Sequence, residues 1–155
     1  MQHFFILIER LHKEIIMNTR FTFCMIKPDS FKKDCVSDIL LDILKAGFKI
    51  RGIKITMLTK TKAEQFYDIH QGKEFFDRLT TFISSGPVMA MVLERANAVE
   101  TLREIIGKTD PTQAADGTIR KLYATNTTQN AIHASDSYEN AEREWSFFFS
   151  KREIY

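Results

Sequence analysis

Apolar residues recur along this chain with two different spacings, which predict that strands and helices alternate. The stretch "FTFCMIK" (21–27) predicts a strand that ends at Pro28, and "VMAMVL" is apolar at every position, as in a strand buried on both faces. Between them, a segment with helical spacing predicts a helix that Gly47 terminates. The apolar positions of that helix are Val36, Ile39, Leu40, Ile43 and Leu44.

The strand-like alternation slips once, in the stretch "FKIRGIKITML" (48–58). Phe48 and Ile50 hold one phase, and the apolar residues after Gly52 hold the other. One extra residue in a strand produces such a slip, so we expect a β-bulge at Gly52.

Helical patterns dominate the middle of the chain. Two short helices are expected near residues 62–70 and 75–84. A further helix is expected to end at Gly107, and Asn97 with Glu100 predicts an Asn-led capping box at its start.

The last third of the chain predicts a loop, a strand and a helix. Residues 108–120 have no periodicity, and a loop of this length is more often functional than idle. Ala131 and Ile132 end a buried strand, and the Ser-Asp-Ser cluster at 135–137 predicts a helix start. The whole order predicts an α+β fold of the ferredoxin-like, split βαβ kind. Its four-stranded antiparallel sheet would be covered by helices on one face.

Composition indicates one soluble globular domain. The chain has 155 residues, 44% of them hydrophobic and 27% charged, and a net charge of +2 gives no field suited to nucleic acid or a membrane. Cys24 and Cys35 form no CxxC motif, so we expect reduced thiols in a reducing cytoplasm.

Residues 1–16 are expected to be an N-terminal appendage to a domain of residues 17–155. The apolar run Phe4–Ile8 is far shorter than the ~18 residues of a spanning helix, and no signal-peptide pattern surrounds it. An amphipathic arm is an alternative for this segment. Its apolar face would be formed by Phe4, Leu7, Ile8, Leu11 and Ile15.

Familiar sequence motifs for phosphate and metal binding are absent. The six glycines form no P-loop or dinucleotide loop, and no HExxH or cysteine cluster predicts a metal cage. Any phosphate chemistry would therefore depend on side chains such as Lys27, Arg103 and Arg120. Each of these three has the alternative of being an ordinary solvated charge.

His133 lies between the apolar pair 131–132 and the cluster 135–137. A histidine at a strand-to-helix junction would sit near the positive end of a helix dipole, which attracts anions such as phosphate. The alternative is a core histidine with one ring nitrogen bonded to a backbone carbonyl.

Five segments, in order and spacing, resemble the nucleoside diphosphate kinase family. They are "FCMIKPDS", "YDIHQGKEFFDRL", "SGPVMAMVLE", "KTDPTQAADGTIR" and "NAIHASDSYENAEREWSFFF". The resemblance runs from about Thr19 to Tyr155, and the short C-terminal end is similar to bacterial members. It implies an enzyme that moves a γ-phosphoryl group from a nucleoside triphosphate to a nucleoside diphosphate in two half-reactions.

The resemblance also implies roles for single residues. His133 would be the nucleophile, and Glu144 would bind its other ring nitrogen, with Ser135 bonded to Glu144 and Tyr67 lining the histidine. The implied nucleotide-binding residues are Lys27, Phe75, Leu79, Arg103, Thr109, Arg120, Thr127 and Asn130. Among these, Lys27 would bind the sugar hydroxyl and the phosphate bridge, Asn130 the sugar 3′-hydroxyl, and Phe75 would stack on the base. The phosphate-binding positions are matched by Arg103, Thr109 and Arg120.

Partners follow from the same resemblance. Mg²⁺ would arrive on the nucleotide phosphates. The substrates would be ATP and other nucleoside di- and triphosphates. The protein would be a cytoplasmic homo-oligomer, either a tetramer or a hexamer. A non-catalytic binding module on the same fold and a structural DNA-binding protein are the alternatives. Neither a membrane nor a specific nucleic acid is expected as a partner.

Five positions depart from the common family pattern, one of them being Thr127, which stands where an apolar residue often lines the base. Ala134 stands where glycine is frequent, and a positive φ there would introduce strain of ~1 kcal/mol or more. Ser30 and Asp34 also replace frequent glycines, and Leu122 replaces an acidic residue.

Overall fold

The computed structural model describes the backbone of residues 2–155 and the side chains of residues 4–12 and 19–155. Its helices are α1 (Gln2–Asn18), α2 (Pro28–Lys32), α3 (Val36–Lys45), α4 (Lys60–Phe66), α5 (Phe76–Ile83), α6 (Ala98–Ile106), α7 (Ile119–Tyr123) and α8 (Tyr138–Phe148). Its strands are β1 (Phe21–Ile26), β2 (Lys49–Met57), β3 (Pro87–Glu94) and β4 (Ile132–Ala134). Two 3₁₀ turns cover Asp68–His70 and Lys151–Glu153.

The four strands of the described residues form one antiparallel sheet in the order β2-β3-β1-β4. The central strands β1 and β3 are predominantly apolar, and nearly all of their side chains are buried, including the polar Thr22 of β1. The predicted α+β, ferredoxin-like architecture is therefore confirmed.

Helices cover both faces of this sheet, so the expectation of helices on one face was wrong. Successive residues of a strand point to opposite faces, and in β1 both sets are apolar. Phe23 and Met25 pack in one core with α4 and α8, through residues such as Phe148. Cys24 and Ile26 pack in a second core with α3, α6 and α7. A strand that is apolar on both sides needs cover on both sides.

Two features predicted from glycines, the bulge at Gly52 and the helix end at Gly47, occur in the structure. The register between β2 and β3 shifts between Ile50 and Gly52, which confirms the bulge. A Cβ on Gly52 would lie 3.3 Å from the Phe149 ring, so the close approach of the C-terminal segment also favours glycine. Gly47, with φ of 87°, ends α3 as expected.

Three helix ends differ from the sequence expectation. The helix predicted near 62–70 ends at Phe66, and a 3₁₀ turn follows it. Asn97 is the N-cap of α6 in the left-handed conformation (φ 49°), and its side chain makes no capping bond. The capping-box prediction was wrong; asparagine is suited to this position because it tolerates positive φ. A short helix, α7, begins at Ile119, at the end of the expected loop 108–120, and occupies part of the connection after it; buried Ile119 anchors it.

The arm α1 carries several strongly exposed apolar side chains, including Phe4 (65%) and Phe5 (64%). The predicted amphipathic face includes Ile15, which lies outside the described side chains. None of the helices in the described residues is long and apolar enough to cross a membrane. Both cysteines, Cys24 and Cys35, are buried and free.

Candidate active site

A cavity of about 400 Å³ opens beside the carboxyl end of β1 and the strand β4. Eleven of the twelve site residues proposed from the sequence line it, although they are spread over more than a hundred positions of the chain. They are Lys27, Tyr67, Phe75, Leu79, Arg103, Thr109, Arg120, Thr127, Asn130, His133 and Glu144. The twelfth, Ser135, is buried behind Glu144.

His133 is in the middle of β4, opposite Met25. The expectation that it follows the strand, at the junction with the helix, was therefore wrong. Residues opposite each other share a face of the sheet, so the imidazole lies in the core that contains α4 and α8. Its ring packs edge-on against the rings of Phe66 and Tyr67, with centroids 5.5 and 5.8 Å away. Aromatic walls leave the ring little freedom to turn.

One edge of the imidazole faces a carboxylate. His133 Nε2 is buried and lies 3.0 Å from Glu144 Oε2, although the N–H direction is not aligned with this oxygen. The contact is therefore electrostatic more than it is a well-formed hydrogen bond. The side chain remains 19% exposed, which leaves Nδ1 as the ring nitrogen that a molecule in the cavity can reach.

Glu144 itself is held from two sides. It lies on α8, is 4% exposed, and accepts a short hydrogen bond from the Ser135 hydroxyl. The start of α8 is fixed by Ser137, whose side chain accepts from the backbone N–H of Asn140, so the predicted helix start is confirmed. A helix anchored at this point brings its second turn back over β4, which sequence spacing alone does not reveal.

Tyr67 contributes a polar group with no partner in the described part of the chain. Its hydroxyl is buried in the cavity wall, and burial, together with nearby Glu144, raises the pKa of this phenol. The group is a neutral donor at physiological pH. An unsatisfied buried hydroxyl is costly, and a bound molecule with an acceptor would remove that cost.

Lys27 and Asn130 form the inner polar corner of the cavity. Lys27 Nζ donates to Asn130 Oδ1 over 2.7 Å, and the lysine is only 4% exposed. Burial, and secondarily Arg120, lowers the pKa of Lys27 to about 7, while Asp29 opposes this. The amide of Asn130 donates in turn to the carbonyls of Thr109 and Thr127. An anion placed here would restore the full charge of the ammonium group.

Backbone strain occurs beside this corner, at Ala131 and not at Ala134. Ala131 has φ of 73°, whereas Ala134 belongs to a regular strand, so the predicted strain at Ala134 was misplaced. The unusual conformation allows Ala131 N–H to donate to Asp29 Oδ2 and its carbonyl to accept from Lys27 N–H. Two buried bonds stabilise a conformation that costs alanine ~1–2 kcal/mol. Asp34, at a family glycine position, also has positive φ.

Arg120 is positioned through backbone carbonyls. It is 9% exposed, and its guanidinium donates to the carbonyls of Gly107 (3.1 Å) and Ile132 (2.8 Å). Burial, followed by repulsion from Arg103, lowers the pKa of Arg120 to about 10. Two close guanidinium groups favour an anion between them.

The outer part of the cavity is lined by apolar and hydroxyl side chains. Phe75 is 38% exposed, and Leu79 and Thr127 line the same cavity. An exposed aromatic ring at a cavity mouth is suited to stacking against a flat molecule.

Several lining residues were missed by sequence reasoning, notably His70, Arg78 and Thr128. His70 packs 5.4 Å from the Phe75 ring, and burial, followed by repulsion from His133, lowers its pKa. His70 and Arg78 both belong to the segment "YDIHQGKEFFDRL", and that shared segment was the available signal.

Metal-binding clusters are not found in this part of the molecule. Among the residues that the structure describes, no three His, Cys, Asp or Glu side chains are grouped so that they could hold a metal ion. Asp136 and Glu144 are the carboxylates that line the cavity, and Asp136 Oδ1 accepts from Asn140. The donor set is thus rich in cations and poor in metal ligands.

Comparison with known proteins gives one consistent family. The sequence profile described as "Nucleoside diphosphate kinase" matches residues 20–154. A nucleoside diphosphate kinase of Persephonella marina is 45% identical over 138 residues, covering 89% of this chain and 99% of the relative. One of Flavobacterium psychrophilum is 48% identical over 137 residues, covering 88% and 99%.

Solved structures agree with the sequence relatives. A crystal structure of the Aquifex aeolicus nucleoside diphosphate kinase superposes with a TM-score of 0.86 at 42% identity, covering 88% of this chain and 99% of the other. A halophilic nucleoside diphosphate kinase from Halobacterium salinarum, solved in complex with CDP, gives a TM-score of 0.84 at 39% identity, covering 88% and 91%.

Proposed function

The chain belongs to the nucleoside diphosphate kinase family, a family of phosphotransferases, and we propose that it transfers phosphoryl groups through a covalent intermediate on His133. The observation that carries this proposal is the orientation of His133. Its Nε2 faces the buried Glu144 carboxylate, while Nδ1 is left for the cavity that the buried cations line.

In the first half-reaction, the lone pair of His133 Nδ1 attacks the γ-phosphorus of a nucleoside triphosphate. The N–P bond forms while the bond from phosphorus to the β,γ-bridging oxygen breaks, and the diphosphate leaves with that electron pair. The imidazole becomes cationic, and Glu144, held by Ser135, offsets this charge. A second diphosphate then attacks the phosphohistidine and regenerates the neutral ring.

The cations of the cavity would stabilise the charge that develops on the phosphates. Lys27 reaches the inner corner, and Arg103 and Arg120 line the same cavity. Preorganised donors of this kind lower the barrier because they need no reorientation during the reaction. Thr109 and Asn130 would complete the phosphate and sugar contacts.

Mg²⁺ fits this site as a companion of the nucleotide. Because the buried Glu144 is engaged by Ser135 and His133, the exposed Asp136, whose Oδ1 accepts from Asn140, is the lining carboxylate that would face a phosphate-bound cation. The ion would neutralise phosphate charge and orient the transferred group.

Assembly, domain division and location are part of the proposal. The exposed side chains of Ile53, Ile55 and Met57 on the edge strand β2 support a homo-oligomer, tetramer or hexamer. Residues 17–155 would be the kinase domain, and residues 1–16 an appendage. The free buried thiols of Cys24 and Cys35 support a cytoplasmic location.

Labelling with γ-³²P-ATP, followed by a chase with unlabelled UDP, tests the mechanism. We expect the protein to carry a label that is labile in acid and stable in base. The chase with UDP should transfer this label from the protein to UTP. His133→Ala should abolish labelling and transfer, while His12→Ala, on the exposed arm, should keep both. Acid-stable label, or labelling of His133→Ala, contradicts the proposal; tight nucleotide binding without any label would favour a non-catalytic binding module.

A further inference from the structure

A hydrogen bond crosses the outer end of the cavity. Arg78, on α5, lines the cavity next to Leu79, and its Nε donates over 3.1 Å to Oγ1 of Thr128. Thr128 lies 50 positions further along the chain, in the connection before β4. The bond therefore joins α5 to that connection beside Phe75, where the proposed function places the nucleobase.

The connection that carries Thr128 is held by its own hydrogen bonds. Asn126 Oδ1 accepts from the backbone N–H groups of Thr128 (2.9 Å) and Gln129 (2.8 Å). Thr125 N–H donates to the carbonyl of Gln129 over 2.8 Å. Thr128 is thus in place before any ligand binds, and it fixes the position of the Arg78 guanidinium.

The two side chains joined by this bond, Arg78 and Thr128, offer mainly donors to the cavity. A guanidinium has five N–H donors and no acceptor, and within the described residues only Nε of Arg78 is bonded. Since Thr128 Oγ1 accepts that bond, its own proton can be donated elsewhere. The lining carboxylates, Asp136 and Glu144, are bonded to Asn140 and Ser135.

A nucleotide bound as in the proposed function would present one base edge to these donors. Lys27 and Asn130 take the sugar and phosphate side, so a base stacked on Phe75 directs its far edge outward. That edge carries an oxygen acceptor at C6 of guanine and hypoxanthine and at C4 of uracil and thymine. Adenine and cytosine carry an amino donor at the same places.

We propose that Arg78, supported by Thr128, biases this enzyme toward nucleotides of oxo bases over those of amino bases. The inference depends on the proposed function, because it uses the direction in which the nucleotide lies. Arg78 is exposed, so water competes for its donors. The expected preference is about fivefold, the factor that one net hydrogen bond gives.

Two pairs of acceptors isolate this contact. Inosine diphosphate and ADP differ at the 6-position and the adjacent N1 proton, and UDP and CDP differ in the same way at C4 and N3. In competition for the phosphorylated enzyme, kcat/KM should favour inosine diphosphate over ADP and UDP over CDP. Arg78→Gln, which offers both donor and acceptor, should bring both ratios close to one. Arg78→Glu, which offers only acceptors, should reverse them.

Arg152→Glu is the matched control, because it makes the same charge change on an exposed residue that does not line the cavity. It should keep the wild-type ratios. Ratios that are unchanged in Arg78→Glu, or an equal loss for all four acceptors, overturn the proposal and leave Arg78 as a link between α5 and the connection.

Calorimetric binding of the same four diphosphates to unphosphorylated protein separates this inference from the proposed function. If His133 is never labelled but the dissociation constants keep the oxo preference and reverse in Arg78→Glu, the mechanism fails and the base contact stands. If labelling and transfer occur but neither kcat/KM nor binding responds to Arg78→Glu, the base contact fails and the mechanism stands.

Discussion

The hydroxyl of Tyr67, which has no hydrogen-bond partner among the residues that the structure describes, lowers the stability of the free protein. Removing this oxygen in Tyr67→Phe keeps the ring that packs against His133 and Phe66 and deletes only a buried polar atom. The desolvation cost of such an atom is about 1–3 kcal/mol. Because the surrounding side chains close only partly over the deleted atom, the free energy of unfolding should rise by the lower end of this range, about 1 kcal/mol. For a chain of this size the melting temperature should rise by about 2–4 °C.

Tyr138→Phe is the matched control for this change. Its hydroxyl has a partner, since it donates to Glu100 Oε2 over 2.5 Å, so the same deletion should leave stability unchanged or lower it slightly. Both variants and the wild type would be melted by differential scanning calorimetry at one protein concentration, because oligomer melting depends on concentration.

A second measurement, with saturating ADP, shows whether the hydroxyl serves the nucleotide. If it does, ADP should stabilise Tyr67→Phe less than the wild type, and kcat/KM should fall. A melting temperature of Tyr67→Phe at or below that of Tyr138→Phe would refute the reasoning, because it would mean that the hydroxyl is already bonded in the free protein.

Two further predictions use the polar corner and the glycines. The pKa of Lys27 is about 7 in the folded protein but near 10.4 in an unfolded chain, so between these pH values the unfolded state binds more protons. The free energy of unfolding should therefore rise with pH in this window, and urea titrations at several pH values should show the slope. Lys27→Met should reduce the slope, whereas equal slopes in the variant and the wild type would contradict the prediction. Gly107→Ala should cost more stability than Gly117→Ala and should weaken ADP binding. Both glycines have positive φ, but only at Gly107 would the new Cβ lie 2.5 Å from Thr118 Oγ1. The Gly107 carbonyl also accepts a hydrogen bond from Arg120, which the Gly117 carbonyl does not. Equal losses of stability for the two variants in urea unfolding would contradict the predicted clash at Gly107.

Features governed by neighbouring residues were predictable from the sequence. The end of α3 at Gly47, the bulge at Gly52 and the start of α8 at Ser137 each follow from the conformational freedom of one residue or from one local hydrogen bond. The uninterrupted apolar run of β3 likewise predicted a strand buried on both faces, and the apolar stretch 21–27 predicted the strand β1.

Features governed by contacts between distant parts of the chain could not be predicted from the sequence. Asn97 fits a capping pattern, yet it adopts the left-handed conformation (φ 49°) and its side chain makes no capping bond. Strain appeared at Ala131 because Asp29 and Lys27, a hundred positions earlier, bond to its backbone. The approach of Glu144 to His133 depends on how α8 returns across the sheet, which no local spacing encodes.

The three-residue strand β4 ties the position of His133 to the length of the chain around it. Ile132 and Ala134 belong to one core, whereas His133, between them, faces the other side of the sheet. Inserting or deleting a single residue between Asn130 and Ser135 would exchange the two faces, burying the imidazole in the wrong core and turning an apolar side chain toward the cavity. In this segment an insertion or a deletion is therefore far more damaging than most substitutions at positions other than His133, because it moves every side chain of the strand to the opposite face at once.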